Sequence, residues 1–295
     1  MKPINYILTP LLLTALLTVG CSDDEQTADN TTAALQLNLS EEPWQGETLQ
    51  LTRATVTEEA LKTSTAGFGL YCSGFKMADK QVTWDATHQR WNYGNLLLWP
   101  HNRETTVNMY AYAPYDGDGT YAVSSGVLTF TTTINNTTDL LCAGVESAQR
   151  TTENKGTIAL NFQHVLAKLS FGTITNHYGR PITLDEIEVT GTLYTCRKLE
   201  MATGVWRDED ATPASLTKKY TPLNQNVAAG ETTDFTTMAK PLLLIPGPSV
   251  SITFTISTTD FGTESFTFSN IPLEKGVNKT LNLTINNNFE VVITD

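Results

Sequence analysis

The side chains best suited to metal or acid–base chemistry are four histidines, and they stand far apart at His88, His101, His164 and His177. None falls at HExxH or HxH spacing, and no GxSxG elbow, P-loop or GxGxxG is present. Serine hydrolysis, zinc proteolysis and nucleotide binding therefore lack their motifs. The paired carboxylates of a glycosidase are defined in space, and the sequence singles out no pair. Asp116 and Asp118 in YDGDGTY are a fragment of a calcium loop without its later acidic ligands, and a tight turn between strands fits them better. Cys72, Cys142 and Cys196 form no CxxC pair; they read as small apolar core residues, with one disulfide left open. His164, in NFQHVLAKLSF, reads as a structural hydrogen-bonding residue and not a catalytic one. No catalytic residue, metal or cofactor is expected. Trp84, Trp91 and Trp99 have two readings. Exposed, they would make a platform for stacking on a glycan; buried, they would be aromatic anchors of a core.

A different chemistry is open to Cys21. It directly follows a short apolar run whose sole charge is Lys2, interrupted by Pro10 and too short for a membrane span. Residues 1–20 read as a signal peptide cut between Gly20 and Cys21. Val19-Gly20-Cys21 resembles the lipobox of bacterial lipoproteins, although Thr18 stands where an aliphatic residue is usual. That resemblance implies acylation of the Cys21 thiol, and two or more acyl chains hold a protein stably on a bilayer. Ser22-Asp23-Asp24-Glu25 resembles the acidic export tag of surface lipoproteins of the Bacteroidetes, which implies the outer face of the outer membrane. The net charge is −12, and losing Lys2 makes it one unit more negative. An acidic chain without a Lys/Arg cluster argues against nucleic acid as a partner.

The elements that would position these residues are strands. Residues 21–33 are polar and aperiodic and read as a flexible tether. From Ala34 onward, ALQLNL, TTVNMYAYAPY, GTIALNF, LAKLSFGTI, SVSITFTIS and KTLNLTINN alternate or run with β-branched and aromatic residues. Gly, Pro, Asn and Asp punctuate them. Thr57–Lys62 alone reads as a helical turn, with Glu58 and Lys62 in favourable order. Many short strands without a long helix predict an all-β fold of two tandem antiparallel β-sandwiches, residues 34–165 and 166–295.

Several motifs in order carry a wider resemblance. WDATHQRWNYGNLLLWPHNRETTVNMYAYAPY, then TDLLCAGVESA, then KGTIALNFQHVLAKLSFGTITNHYG resemble the fimbrillin superfamily of the Bacteroidetes. The resemblance implies transthyretin-like sandwiches and a structural pilus subunit or fimbria-associated adhesin, with other such subunits as partners. It also implies transient anchoring in the outer membrane and a host or bacterial surface ligand for an adhesin. By the same resemblance, a trypsin-like protease cuts between Arg53 and Ala54, removing the lipid and the first strand, and a neighbour's strand fills the groove. Read by itself, Arg53 could equally be an ordinary exposed residue. In the tail NNNFEVVITD, Phe289, Val291 and Ile293 share one strand face. The tail fits a donor strand, or the last strand of the chain's own sheet. An exposed coplanar pair of tryptophans would favour a glycan-binding lipoprotein as the alternative.

Overall fold

The computed structural model describes residues 34–46, 58–75, 77–94, 97–99, 105–117, 121–151 and 153–294. Gly20, Cys21, Arg53, Ala54, His101 and Asp118 lie outside the described residues.

The first elements are β1 (Gln36–Glu41), α1 (Glu58–Thr63), β2 (Phe68–Cys72), β3 (Met77–Asp85), β4 (Arg90–Asn92) and β5 (Val107–Ala113). Next come β6 (Ala122–Ser124), β7 (Val127–Thr131), β8 (Leu141–Ala148), β9 (Thr157–His164) and β10 (Ala167–Asn176). A long hairpin of β11 (Ile182–Glu200) and β12 (Val205–Tyr220) precedes β13 (Gln225–Val227), β14 (Thr232–Asp234) and β15 (Leu242–Leu244). The chain continues through β16 (Gly247–Thr258), β17 (Gly262–Leu273), β18 (Asn278–Ile285) and β19 (Val291–Thr294). The fold is all-β and of the sandwich type.

Among the described residues these strands form three sheets. The first runs β1-β9-β8-β5-β2-β3-β4, the second β14-β10-β18-β19 with β15 also on β10, and the third β17-β16-β11-β7-β6 with β12 and β13 on β11. Most ladders are antiparallel, but β1 runs parallel to β9 and β10 parallel to β18. The members of these two parallel pairs are joined by long crossovers and not by hairpins.

Alternation decides the faces. In β16, Val250, Ile252, Phe254 and Ile256 are buried. Between them, Ser251, Thr253, Thr255 and Ser257 hydrogen-bond across to Ser269, Thr267, Ser265 and Thr263 of β17. The hydroxyl residues thus sit on the wet face of an antiparallel pair, and the branched and aromatic ones fill the core. Phe171 of β10 meets Phe254 of β16 edge-on at 6.5 Å, so the second and third sheets close on one shared core.

The first sheet curls around a core of its own, with Phe68, Leu70, Val82, Met109 and Phe162 inside. A further core lies between these, built from Trp44, Tyr112, Leu128, Leu140, Val165, Leu166, Leu199 and Ile245. The chain passes from the first sheet to the second at Val165-Leu166, between β9 and β10. The partition by sequence is not complete, because β6 and β7 leave the first sheet's run and extend the third sheet through β7 on β11.

Candidate functional site

The N-terminal edge of the first sheet is where backbone pairing and buried charge meet. β1 lies in parallel register on β9, from Gln36 opposite Thr157 to Glu41 opposite Phe162. Its alternation turns Leu35, Leu37 and Leu39 inward, with Leu35 and Leu39 buried and Leu37 half-buried. Full burial of such a side chain contributes about 1.5–3 kcal/mol. On the outer face, Ser40 Oγ donates to Asn161 Oδ1 at 3.0 Å and Asn161 Nδ2 donates to Glu42 Oε1 at 2.7 Å.

Glu41 continues the inward series, and it is charged. Its carboxylate is 5% exposed and lies 3.0 Å from Nε2 of His164, whose Nδ1 stands 2.5 Å from Asp139 Oδ2. Trp44 stacks on the imidazole with ring centroids 4.2 Å apart, and the Lys168 ammonium sits 5.5 Å above the Trp44 ring. Burial alone would push the imidazole's pKa down. Hydrogen bonds and charge from Asp139 and Glu41 outweigh it and push it up to about 9, so His164 is an imidazolium at neutral pH. Burial raises the Glu41 carboxyl, partly offset by His164. As an imidazolium hydrogen-bonded through Nδ1 to Asp139 and ion-paired through Nε2 with Glu41, whose geometry falls short of a hydrogen bond, His164 has no lone pair to act as a base. It fastens β1 to the segment before β8. Beyond it, Gln45 N–H donates to Gly276 O and Asn278 N–H to Gln45 O, each at 2.8 Å, so residues 34–46 bind both the first sheet and the turn before β18.

The sequence expectations for the aromatics resolve toward the core. Trp91 and Trp99 are 4% and 3% exposed, and the Trp99 indole N–H donates to Gly156 O at 2.8 Å. Trp84 is half-buried and meets Trp91 edge-on, at 5.1 Å and 68°, with the Lys62 ammonium 4.7 Å over its ring. The exposed coplanar pair that a sugar would stack on does not form, because β4 turns Trp91 inward and the Gly156 carbonyl draws Trp99 in. A cleft of about 470 Å³ does lie beside Trp84, between β1 and β4. The two edges of the curled sheet approach there, with Leu35 N–H donating to Leu97 O and Tyr93 O–H to Leu35 O.

The tail lies in its own chain's second sheet. β19 pairs antiparallel with β18, from Asn282 opposite Thr294 to Ile285 opposite Val291. Phe289 is 7% exposed and stacks on Phe261 at 5.1 Å; Val291 and Ile293 pack partly on the core, while Val292 is 49% exposed. Cys72 and Cys142 are buried free thiols and Cys196 is a half-buried one. Among the described residues, no group of three or more His, Cys, Asp or Glu side chains could hold a metal ion. Glu41, Trp44 and Asp139 were not singled out from sequence. Glu41 is the one that could have been, as the fourth member of an inward-facing series that begins at Leu35.

A family model described as fimbrillin-like matches residues 42–295. The chain belongs to the fimbrillin-like family. Over 196 residues it is 28% identical to the fimbrium subunit Fim1C of Phocaeicola vulgatus, covering 54% of this chain and 49% of that one. The chain thus spans about half the length of this curated relative. Among solved structures, a candidate cell adhesion protein from Parabacteroides distasonis superposes with a TM-score of 0.56 at 8% identity, over 89% of this chain and 96% of that one. A candidate cell adhesion protein from Bacteroides ovatus gives 0.49 at 17% identity, over 89% and 96%. At 8% identity the likeness to the Parabacteroides distasonis structure concerns the fold alone.

Proposed function

We propose that this chain is a non-enzymatic subunit of a surface fimbria, or an adhesin associated with one, which assembles with other fimbrillin-like subunits by strand exchange. It would reach the outer membrane as a lipoprotein acylated on Cys21 and lose its first strand on cleavage between Arg53 and Ala54. Membership of the fimbrillin-like family supports the role, and the name of the Fim1C relative agrees with it. The single observation that carries the mechanism is the position of β1. It is an N-terminal edge strand whose ladder in the sheet is with β9, and it covers the first sheet's core with Leu35 and Leu39. Its departure would bare a row of β9 backbone groups beside apolar pockets, the template that β-strand addition uses.

The test is the N-terminus of the protein recovered from cells with and without trypsin-like protease activity, read by intact mass. A protease-dependent start at Ala54 without lipid is expected. A start at acylated Cys21 under both conditions would overturn release and exchange, and would leave a permanently anchored surface protein.

A further inference from the structure

The seam of the first sheet holds a cleft whose charge runs against that of the chain. β1 and β4 are the two edge strands of this sheet, and its curl brings them together at Leu35, Tyr93 and Leu97. The cleft beside that junction, about 470 Å³, has the size of a small-ligand site. No Asp or Glu lines it, although the chain carries 31 of them against 19 Lys and Arg. Arg90 and His88 do line it. Lys80 stands at its rim, since a Cβ built on the lining residue Gly94 would lie 3.0 Å from the Lys80 ammonium. Among the described residues, no carboxylate pairs with Arg90 or Lys80.

The two acids of β3 are committed elsewhere. Asp79 accepts the Tyr112 hydroxyl at 2.7 Å. Asp85 accepts the backbone N–H groups of Thr87 and His88, and its other oxygen lies 2.7 Å from His88 Nδ1. The remaining walls are an indole and neutral amides. Trp84 is half-buried and held by the Lys62 ammonium over its ring and by Trp91 beside it. Gln36 and Asn92 use their side-chain oxygens to accept from the Thr157 hydroxyl and the Gly94 N–H, which leaves their amino groups to donate. Arg90 and Asn92 share the exposed face of β4.

The site thus offers donors, positive charge and one aromatic wall, with no carboxylate to compete. A sugar ring carrying a carboxylate uses all three. Its C–H face lies on the indole, its hydroxyl oxygens accept from the amides, and its carboxylate meets the forked guanidinium. A neutral sugar would leave Arg90 unused, and a small inorganic anion would leave Trp84 unused.

We propose that the cleft between β1 and β4 binds an acidic saccharide, a uronic or sialic acid residue, with Arg90 pairing with its carboxylate and Trp84 carrying its ring. One aromatic wall suffices for this, without an exposed coplanar pair. The inference goes beyond the fimbrial role and does not rest on strand exchange, because it concerns the unclipped chain with β1 in place.

The test uses the full, unclipped chain, verified by intact mass. The methyl glycosides of glucuronic, galacturonic and N-acetylneuraminic acids are titrated by calorimetry against their own methyl esters, which keep the ring and lose the charge. At least one acid is expected to bind about 10-fold more tightly than its ester, the size of a hydrogen bond to a charged group. Arg90→Gln, at an exposed position, is expected to remove that difference. Trp84→Leu is expected to weaken acid and ester alike. Should that variant not fold, the ester comparison and Arg90→Gln still decide. Equal binding of acid and ester, or an undiminished gap in Arg90→Gln, would overturn the pairing with Arg90. Tighter, Arg90-dependent binding of the capped tripeptide Ala-Glu-Ala would overturn the saccharide as ligand. Binding of none of the three acids would overturn the site, and would leave strand exchange untouched, since that is read from the N-terminus.

Discussion

The charge buried at the end of β1 makes a quantitative prediction about pH. An imidazole has a pKa of about 6.5 in an unfolded chain, and Asp139 and Glu41 lift that of His164 to about 9 in the folded one. A group whose pKa is raised by folding contributes stability that is complete below its unfolded value and is lost as pH rises through its folded value. At 1.36 kcal/mol per pKa unit, the contribution is about 3 kcal/mol, most of it disappearing between about pH 6.5 and 9. The groups facing the ring are Glu41 from β1, Asp139 from the segment before β8, and Trp44, with Lys168 of β10 behind the indole. The assay is the guanidinium midpoint followed by tryptophan fluorescence at intervals from pH 6 to 9. It is run on the natural protein, on His164→Gln, and on Glu41→Gln to separate the second carboxyl. The natural protein should lose stability across that window, and His164→Gln should show little change there. Parallel pH curves for the two would refute the assignment of an imidazolium to this pocket.

Three further outcomes are expected. Trp99→Phe removes the indole N–H that donates to Gly156 O and should lower stability by about 1–3 kcal/mol, read by thermal unfolding. Gly144→Ala would place a Cβ 2.5 Å from Ala202 Cα and 2.9 Å from Met201 O, backbone atoms of the β11–β12 turn. It should cost about 1–3 kcal/mol and speed amide exchange in that turn, while a neutral result would mean that β8 and the turn separate freely. Leu39→Ala truncates the most central buried side chain of β1, at about 2–5 kcal/mol. It should raise the rate at which residues 34–46 are cut by an added protease, and an unchanged rate would show that the backbone ladder alone holds the strand.

How much of this could be read beforehand varied with the locality of the cause. The strand of SVSITFTIS was plain, because Val250, Ile252, Phe254 and Ile256 bury one face and the hydroxyl residues between them face water. The 16-residue β12 escaped notice because it reads VWRDEDATPASLTKKY, with Pro213 and clustered charge. Such residues contradict a central strand and suit an edge, where a missing N–H costs no ladder bond and charge discourages further pairing. The helical turn lies at Glu58–Thr63, and Lys62 pairs there with Glu59 at 3.0 Å. The tryptophan spacing was visible, but which way each ring faces depends on β4 and on a carbonyl at Gly156, far along the chain. The partners of His164 were hidden for the same reason. Glu41 and Asp139 approach it only through the parallel placement of β1 on β9 and the return of the chain before β8, and no local periodicity encodes either.

The excursion of β6 and β7 from the first sheet's run onto β11 constrains the order in which the molecule can be completed. β5 and β8 are neighbours in one sheet, yet the chain between them carries a hairpin whose ladder, Val127 to Thr131, awaits Glu200 to Cys196. Leu128 and Phe130 on that hairpin share a core with Leu199 and Met201. Until the second half of the chain has been made, the hairpin lacks its ladder partner and the part of its core that Leu199, Met201, Leu243 and Ile245 supply, so the early half can condense without locking. Contacts of such sequence separation form late, after long loops have closed. The topology itself thus delays completion of the fold until residues 196–200 are in place to receive the hairpin.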